Sequence, residues 1–275
     1  MCVAVKRQRL PSNAADKELA MFKALKSHPH PHVMTLLDDF ETRKDTNRYL
    51  CLVFPYMECS LDHLWRSCRG LLPVSHGRLM LHQAALGVAH LHRFGILHGD
   101  LSMGNLLVER GSGGAGSPAS VLKIGDLGGA ACASSCVLKV GEQMSTAYVR
   151  APEVILGCLK PLPAVDLWAL GVVGAALLAG TSLFWSFPHE PGAQTASVVE
   201  VLARQVQFLG PIPMTPNPFQ GFFTLASVSA SYSEALNRKA LHTSPAFYLE
   251  DKARVQQPLH HESAASRLLL SWLRW

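Results

Sequence analysis

The run HGDLSMGN, from His98 to Asn105, is the most informative stretch of the sequence, and two short motifs follow it. These are Asp126-Leu127-Gly128 and, starting twenty-five residues after Asp126, Ala151-Pro152-Glu153. Phosphoryl transfer needs a carboxylate beside the attacking hydroxyl, and an amide and a second carboxylate to hold magnesium against the phosphates. The residues with these identities are Asp100, Asn105 and Asp126. Each motif alone recurs by chance, but their order and spacing together indicate phosphoryl transfer.

These motifs resemble those of the eukaryotic protein kinases, within them the group of cyclin-dependent and MAP kinases. HGDLSMGN is similar to the catalytic loop HRDLKPxN, IGDLG to the metal-binding DFG motif, and STAYVRAPEVILG to the TxWYRAPE sequence that closes the activation segment. Upstream, VAVK resembles the third-strand lysine motif, KELAMFKALKSHPHPHVMTLLDDF the regulatory helix and following strand, and YLCLVFPYMECSL the hinge. The resemblance extends from Val3 to about Leu209 and recurs weakly near the C-terminus.

The resemblance implies an α+β fold: the two-lobe, protein kinase-like architecture with a truncated N-lobe sheet and a mainly helical C-lobe. Residues 1–57 would form a partial N-lobe containing the third strand, the regulatory helix and the hinge. Residues 58–275 would form a C-lobe that is incomplete at its C-terminus.

The same resemblance assigns roles to individual residues, with ATP and magnesium as cofactors. Asp100 would be the catalytic base, and Asn105 and Asp126 would bind magnesium. Lys6 would hold the α- and β-phosphates, and Glu18 would pair with Lys6. The residues expected around the rest of the nucleotide are Ala4, the gatekeeper Phe54, Pro55, Met57 and Leu107.

Several positions depart from the family pattern. Gly99 stands in place of the arginine that receives an activation-loop phosphate, and Gly141 stands where relatives often carry the phosphorylated threonine. We therefore expect that phosphorylation at that position does not switch this protein. Ser102 replaces a lysine that helps to neutralise the transferring phosphate, and losing one such group costs roughly 10²–10³-fold in turnover.

The two ends of the sequence also differ from the pattern. No glycine-rich loop precedes Lys6, and the GxGxxG match at Gly111 to Gly116 lies after the catalytic loop in a low-complexity turn, so we expect weak ATP binding. The short spacing from Lys6 to Glu18 predicts a clipped loop or a shortened regulatory helix. We expect Glu153 to lack its usual arginine partner, which would follow Trp275.

The composition places limits on function. Of the 275 residues 48% are hydrophobic and 16% charged, which excludes disorder for the bulk of the chain. A formal charge of +5 without a basic run does not indicate a nucleic-acid partner. Seven cysteines without a CxxC pair, and no signal-peptide pattern, favour the cytoplasm or nucleus.

The uncharged run from Leu167 to Pro188 has the length of a membrane span, but its glycines favour a buried core helix, so no membrane partner is expected. The resemblance supports that interpretation, because Asp166 matches the aspartate that anchors the catalytic loop. Other predicted helices and strands follow from the apolar periodicity: helices at 13–25 and 79–92, strands at 33–37 and 49–54, and a hairpin of 105–108 with 121–124. An extended loop is expected at 211–218, where prolines cluster.

Histidines and cysteines offer alternatives to these assignments. His28, His30 and His32 alternate with prolines, which favours a structural turn over a metal-binding tract. Cys132 and Cys136 are better explained as small loop residues than as half of a zinc site, which would need two more ligands.

The predicted function is a serine/threonine protein kinase that transfers the γ-phosphoryl group of ATP to a protein substrate. Thr146, and the absence of a tyrosine-kinase catalytic loop, favour Ser and Thr acceptors. Arg150 suggests a proline-directed preference, unless it is a generic surface arginine. A cyclin-like activator is compatible with the resemblance. The alternatives are a catalytically weak or inactive kinase-like binding module and an incomplete gene product.

Overall fold

The computed structural model describes residues 2–109, 111, 120–138, 144–180, 182–184 and 198–210. Eight strands and six α-helices lie in these ranges. In chain order they are β1 Val3–Leu10, α1 Asn13–Leu25, β2 Asp38–Lys44, β3 Asn47–Pro55, β4 Cys59–Ser60, α2 Leu61–Ser67, α3 Val74–Arg93, β5 Ile96–Leu97, β6 Leu106–Glu109, β7 Val121–Ile124, β8 Ala131–Cys132, α4 Pro152–Ile155, α5 Ala164–Ala179 and α6 Val198–Leu209. The predicted loop at 211–218 and the tip of the low-complexity turn lie outside the described residues.

The N-terminal sheet is antiparallel, with the strand order β1-β3-β2. β3, predicted from its apolar run, is central and carries the buried residues Leu50, Cys51, Leu52 and Phe54. In β1 the register pairs Lys6 with Leu52, so the strand that carries the predicted phosphate-binding lysine is fixed directly against the centre of the sheet.

Helix α1 begins and ends where the periodicity predicted. The hydroxyl of Ser12 accepts a hydrogen bond from the N–H of Ala15, which caps the first turn. Only Pro11 and Ser12 separate β1 from α1, so the short spacing noted in the sequence corresponds to a clipped loop. The face that α1 buries consists of Ala15, Glu18, Phe22 and Leu25.

The predicted strand at 33–37 is wrong. Val33 makes one isolated parallel bridge to Ile124, and residues 34–37 belong to no strand. Met34 donates its N–H to the carbonyl of Ile124, and Leu37 donates to Val53. The apolar run is therefore buried as a connection between two sheets, whereas the real strand β2 is the polar segment that follows.

The helical part of the molecule is built around α3 and α5, which pack against each other. α5 is buried nearly all round and ends at Gly180, whose φ of +69° suits a left-handed cap. Its burial within the protein core confirms the core-helix interpretation of this run up to Ala179. None of the helices in the described part of the chain has the length and apolarity needed to cross a membrane.

Two small sheets connect these layers. β6 and β7 form the predicted hairpin, extended by β4 to give the order β4-β6-β7, and β5 pairs with β8. Beside the hairpin, the histidine tract forms a turn against α3: the rings of His30 and His90 stack at 4.6 Å, and the Nε2 of His90 donates to the carbonyl of His28 at 2.9 Å.

Candidate active site

Lys6 lies at the centre of the candidate site and joins β1, α1 and the Asp126 motif. Its Nζ is 2.9 Å from Oε1 of Glu18 and 2.7 Å from Oδ1 of Asp126. Gln8 donates from Nε2 to the other oxygen of Glu18 at 2.7 Å. Because the Glu18 side chain is only 1% exposed, both of its carboxylate oxygens need these partners. The short loop before α1 therefore does not prevent the pairing.

The charges in this cluster reinforce one another. Burial acts to lower the pKa of Lys6, but the hydrogen bonds and charges of Asp126 and Glu18 outweigh it and raise that pKa. Burial likewise acts to raise the pKa of Asp126, but Lys6 lowers it. Lys6 is therefore a fixed cation and Asp126 a fixed anion at neutral pH, which phosphate binding and metal binding require respectively.

Asp166, at the start of α5, holds the backbone directly before Asp100. Its Oδ2 accepts a hydrogen bond from the N–H of His98 at 2.9 Å, and its Oδ1 accepts one from the N–H of Gly99 at 2.9 Å. Oδ2 also accepts from Nε2 of His92 at 2.8 Å. The carboxylate is 1% exposed, so the loop is tied to a buried anion, as the resemblance implied.

His98 links the catalytic loop to the segment before Asp126. Its Nδ1 accepts from the N–H of Asp100 at 3.2 Å, so its Nε2 carries the proton and donates to the carbonyl of Gly125 at 3.0 Å. This fully buried bridge fixes the distance between the two carboxylate-bearing loops.

Asp100 is held from two sides. The Nδ2 of Asn105 donates to the Asp100 carbonyl at 2.8 Å and to its Oδ2 at 3.2 Å. On the other side, both the N–H and the Oγ1 of Thr146 donate to Oδ1 at 2.7 Å. The carboxylate is thus oriented by the loop that follows it and by the end of the activation segment.

A cavity of about 380 Å³ lies between the N-terminal sheet and the catalytic loop. Nine of the ten predicted site residues line it: Ala4, Lys6, Glu18, Phe54, Pro55, Met57, Asn105, Leu107 and Asp126. The tenth, Asp100, lies outside this lining and contacts it through Asn105. The volume falls within the 300–1,000 Å³ typical of ligand pockets.

The lining suits ATP and magnesium. The wall is mainly apolar, as a planar base requires, and polar groups gather at one end around Lys6. At that end the amide of Asn105 and the carboxylate of Asp126 offer the oxygen ligands that magnesium prefers.

Arg150 is buried, not a surface residue. It is 5% exposed, and it donates from Nε to the carbonyl of Met144 at 2.8 Å and from a terminal nitrogen to that of Ser145 at 2.7 Å. Ser145 has a φ of +67°, a left-handed conformation that is uncommon for serine. Arg150 therefore stabilises an unusual backbone turn directly before Thr146.

The departures at Gly99 and Ser102 have structural counterparts. Gly99 has a φ of +76°, and a Cβ at this position would approach Cε of Met144 to 2.4 Å. Met144 therefore occupies the space beside the missing arginine side chain. Ser102 is 6% exposed and hydrogen-bonds to Tyr148, whose pKa burial raises to about 12. A buried hydroxyl thus stands at the position that resembles the loop lysine.

Gln8 and Phe22 are among the residues at the site that were not predicted from the sequence. Gln8 lies two positions after Lys6 in β1, so the alternation of strand side chains places both on one face. Phe22 lies four positions after Glu18 in α1 and meets Phe54 edge-on at 4.9 Å between ring centroids. Both signals, the strand period and the helix period, were present in the sequence.

Comparison with known proteins agrees with this geometry. The sequence model described as the protein kinase domain matches residues 2–220. Cell division control protein 2 homolog D of Antirrhinum majus is 34% identical over 193 residues, covering 66% of this chain and 59% of the relative. Cyclin-dependent kinase B2-1 of Oryza sativa subsp. japonica is 33% identical over 192 residues, covering 66% and 56%. This chain thus spans less than two thirds of the length of these relatives.

A solved structure shares the fold. The structure of the yeast RNA Pol II CTD kinase CTDK-1 complex matches with a TM-score of 0.70 at 21% identity, over 98% of this chain and 79% of the other. The kinase-like α+β fold expected from the sequence is therefore confirmed. The chain belongs to the protein kinase family, and within that family it is similar to the cyclin-dependent kinases.

Proposed function

We propose that this chain transfers the γ-phosphoryl group of ATP to serine or threonine hydroxyls of a protein substrate. The observation that carries the proposal is the position of the Lys6 ammonium, within 2.9 Å of Glu18 and 2.7 Å of Asp126. An ammonium held between these two carboxylates is placed to meet phosphate oxygens next to a metal-binding aspartate.

Asp100 is the base in this proposal. Its Oδ1 accepts both hydrogen bonds from Thr146, whereas its Oδ2 accepts one long bond from Asn105. A carboxylate oxygen can accept two hydrogen bonds, so Oδ2 retains a lone pair for the proton of an attacking hydroxyl. Asn105 and Asp126 would hold magnesium, which supplies charge neutralisation when it is bound.

A preference for proline after the acceptor residue follows from Arg150. The carbonyls of Met144 and Ser145 already accept hydrogen bonds from its guanidinium. Each of these carbonyls is already directed at the guanidinium and has at most one lone pair left for the N–H of a substrate residue that follows the acceptor. A buried N–H without a well-placed partner is costly. Proline has no N–H and loses nothing there.

A catalytically weak binding module is the second candidate, and Ser102 favours it. The buried Ser102 hydroxyl bonds to Tyr148 and brings no positive charge to the transferring phosphate. In this case the protein would retain a nucleotide-competent cavity but turn over slowly.

Other features of the proposal rest on the family. Residues 1–57 and 58–275 would act as the two lobes, with the cavity between them. A cyclin-like activator, and action in the cytoplasm or nucleus, are proposed from the similarity to cyclin-dependent kinases.

The test is transfer of labelled phosphate from ATP to two peptide pools, one with Ser-Pro and one with Ser-Ala at the acceptor. We expect magnesium-dependent labelling of the Ser-Pro pool by the unmodified chain and none by Asp126→Asn. Labelling that survives Asp126→Asn would refute the assigned metal role. Nucleotide binding without any transfer would support the binding module, and equal labelling of both pools would refute the proline preference.

A further inference from the structure

A second cavity, of about 600 Å³, lies beside the catalytic loop. α1 contributes Lys17 and Met21 to its wall, the catalytic loop contributes Gly99 and Asp100, and the activation segment provides the rest. The described linings of the two cavities have no residue in common. The second cavity adjoins Gly99, where the family has its phosphate-receiving arginine.

Two thiols, Cys132 and Cys136, line this cavity from one turn of the activation segment. Cys132 ends β8, where it pairs with Ile96 just before the catalytic loop. The N–H of Ser135 donates to the carbonyl of Cys132 at 3.0 Å, which closes the turn and brings the chain back just before Cys136. Cys132 is exposed, so reagents in solution can reach it.

The surroundings of Cys132 favour its thiolate. Its Sγ lies 3.1 Å from Oγ of Ser134, and the backbone and side chains of Ser134 and Ser135 both offer hydrogen bonds to the sulfur. These bonds, the Ser134 hydroxyl first, lower the pKa of the Cys132 thiol. By contrast, burial raises the pKa of Cys158. The thiolate is the reactive form of cysteine, so the two sites differ in nucleophilicity.

We propose that Cys132 is a peroxide-reactive modification site with Cys136 as its resolving cysteine. In the first step the Cys132 thiolate attacks hydrogen peroxide: an S–O bond forms, the O–O bond breaks, and hydroxide leaves. In the second step the thiol of Cys136 attacks the sulfenic sulfur, an S–S bond forms, and the departing hydroxide takes the Cys136 proton as water. The peroxide receives the two electrons that the thiols lose.

This modification would act on the activation segment where a phosphate acts in relatives. Gly99 and Gly141 lack the side chains for that phosphate switch. A disulfide between Cys132 and Cys136 would tighten the turn beside Asp100 and Thr146, which line the same cavity. The oxidation of Cys132 does not depend on the proposed kinase activity. An effect of the disulfide on phosphoryl transfer, by contrast, rests on that proposed function.

The test is peptide mapping after brief exposure of the intact protein to hydrogen peroxide. Cleavage after Lys123 and Lys139 releases one peptide that contains both cysteines. We expect this peptide to lose two hydrogens before the exposed Cys2 is oxidised. Cys136→Ser should accumulate a sulfenic acid at Cys132 that dimedone traps, whereas Cys2→Ser should behave like the unmodified chain.

Ser134→Ala tests the cause of the reactivity. Each unit by which the thiol pKa rises lowers the oxidation rate at neutral pH about threefold, after allowing for the greater nucleophilicity of a more basic thiolate. We expect slower oxidation of Cys132 in this variant and no change at Cys2. Oxidation of Cys2 at an equal or faster rate, or a disulfide from Cys132 to another cysteine, would overturn the proposal. These results come from mass spectra and hold whether or not the chain transfers phosphate.

Discussion

Replacing Asp166 with asparagine should destabilise the fold strongly, because this carboxylate is 1% exposed and accepts three hydrogen bonds. In Asp166→Asn the amide oxygen can keep the two bonds made by Oδ2, but the amide NH₂ then faces the N–H of Gly99. One charge-assisted bond is lost, and one buried N–H is left without an acceptor. Together these cost about 2–4 kcal/mol in free energy of unfolding.

Urea unfolding followed by circular dichroism measures this loss. An unchanged m-value, the slope of the free energy of unfolding against urea concentration, shows that the folded state is otherwise the same. The matched control is Asp39→Asn, because Asp39 pairs with Lys23 at 3.0 Å near the surface and its loss should cost less than about 1 kcal/mol. An Asp166→Asn variant no less stable than the Asp39→Asn control would refute the claim that a buried anion holds the catalytic loop.

Three further outcomes are expected. Burial, with the charges of neighbouring histidines and a lysine, lowers the pKa of His30 below 6.5. The free energy of unfolding should therefore rise with pH between that lowered pKa and 6.5. His30→Gln should flatten this part of the pH dependence measured by urea unfolding, and an unchanged slope would contradict the assignment. Gly99 and Gly95 both have a positive φ, but of the two only Gly99 would bring a Cβ against other atoms. Gly95→Ala should therefore lower the free energy of unfolding by about 1 kcal/mol, and Gly99→Ala by about 1 kcal/mol more. Thermal unfolding measures both, and equal losses would show that the contact at Gly99 is unimportant. Burial raises the pKa of Glu153, so ionising it lowers the free energy of unfolding as pH rises from 4.5 through that raised pKa. At about pH 8, Glu153→Gln should therefore be at least as stable as the unmodified chain. A clearly lower free energy of unfolding for this variant in chemical denaturation would point instead to an ion-pair partner.

The sequence predicted the elements whose patterns are local. Helix α1 was bounded correctly because the spacing of Leu19, Phe22 and Leu25 and a capping residue agree on the same ends. The segment at 33–37 was mistaken for a strand because an apolar run buried on several sides looks the same whether or not it joins a ladder. β2 escaped notice for the opposite reason: most of its side chains are polar and exposed, so burial leaves little signal.

Pairings across the chain depended on the resemblance, not on the pattern. Nothing local in the sequence brings Lys6 to Asp126, which lies 120 residues away. The bond from Thr146 to Asp100 and the position of Met144 against Gly99 depend on the path of the activation segment, which no periodicity encodes. The site residues predicted from the sequence belong to recognisable motifs. Gln8 and Phe22, which were not predicted, support Glu18 and Phe54 from neighbouring positions.

In the proposed function, Asp126, beside Lys6, holds magnesium in the nucleotide cavity. Titration calorimetry of ATP with and without magnesium tests it most directly, on the unmodified chain, on Asp126→Asn and on the control Asp39→Asn. We predict that magnesium tightens ATP binding in the unmodified chain and in the control, and that this effect disappears in Asp126→Asn. The same magnesium dependence in all three proteins would contradict the claim.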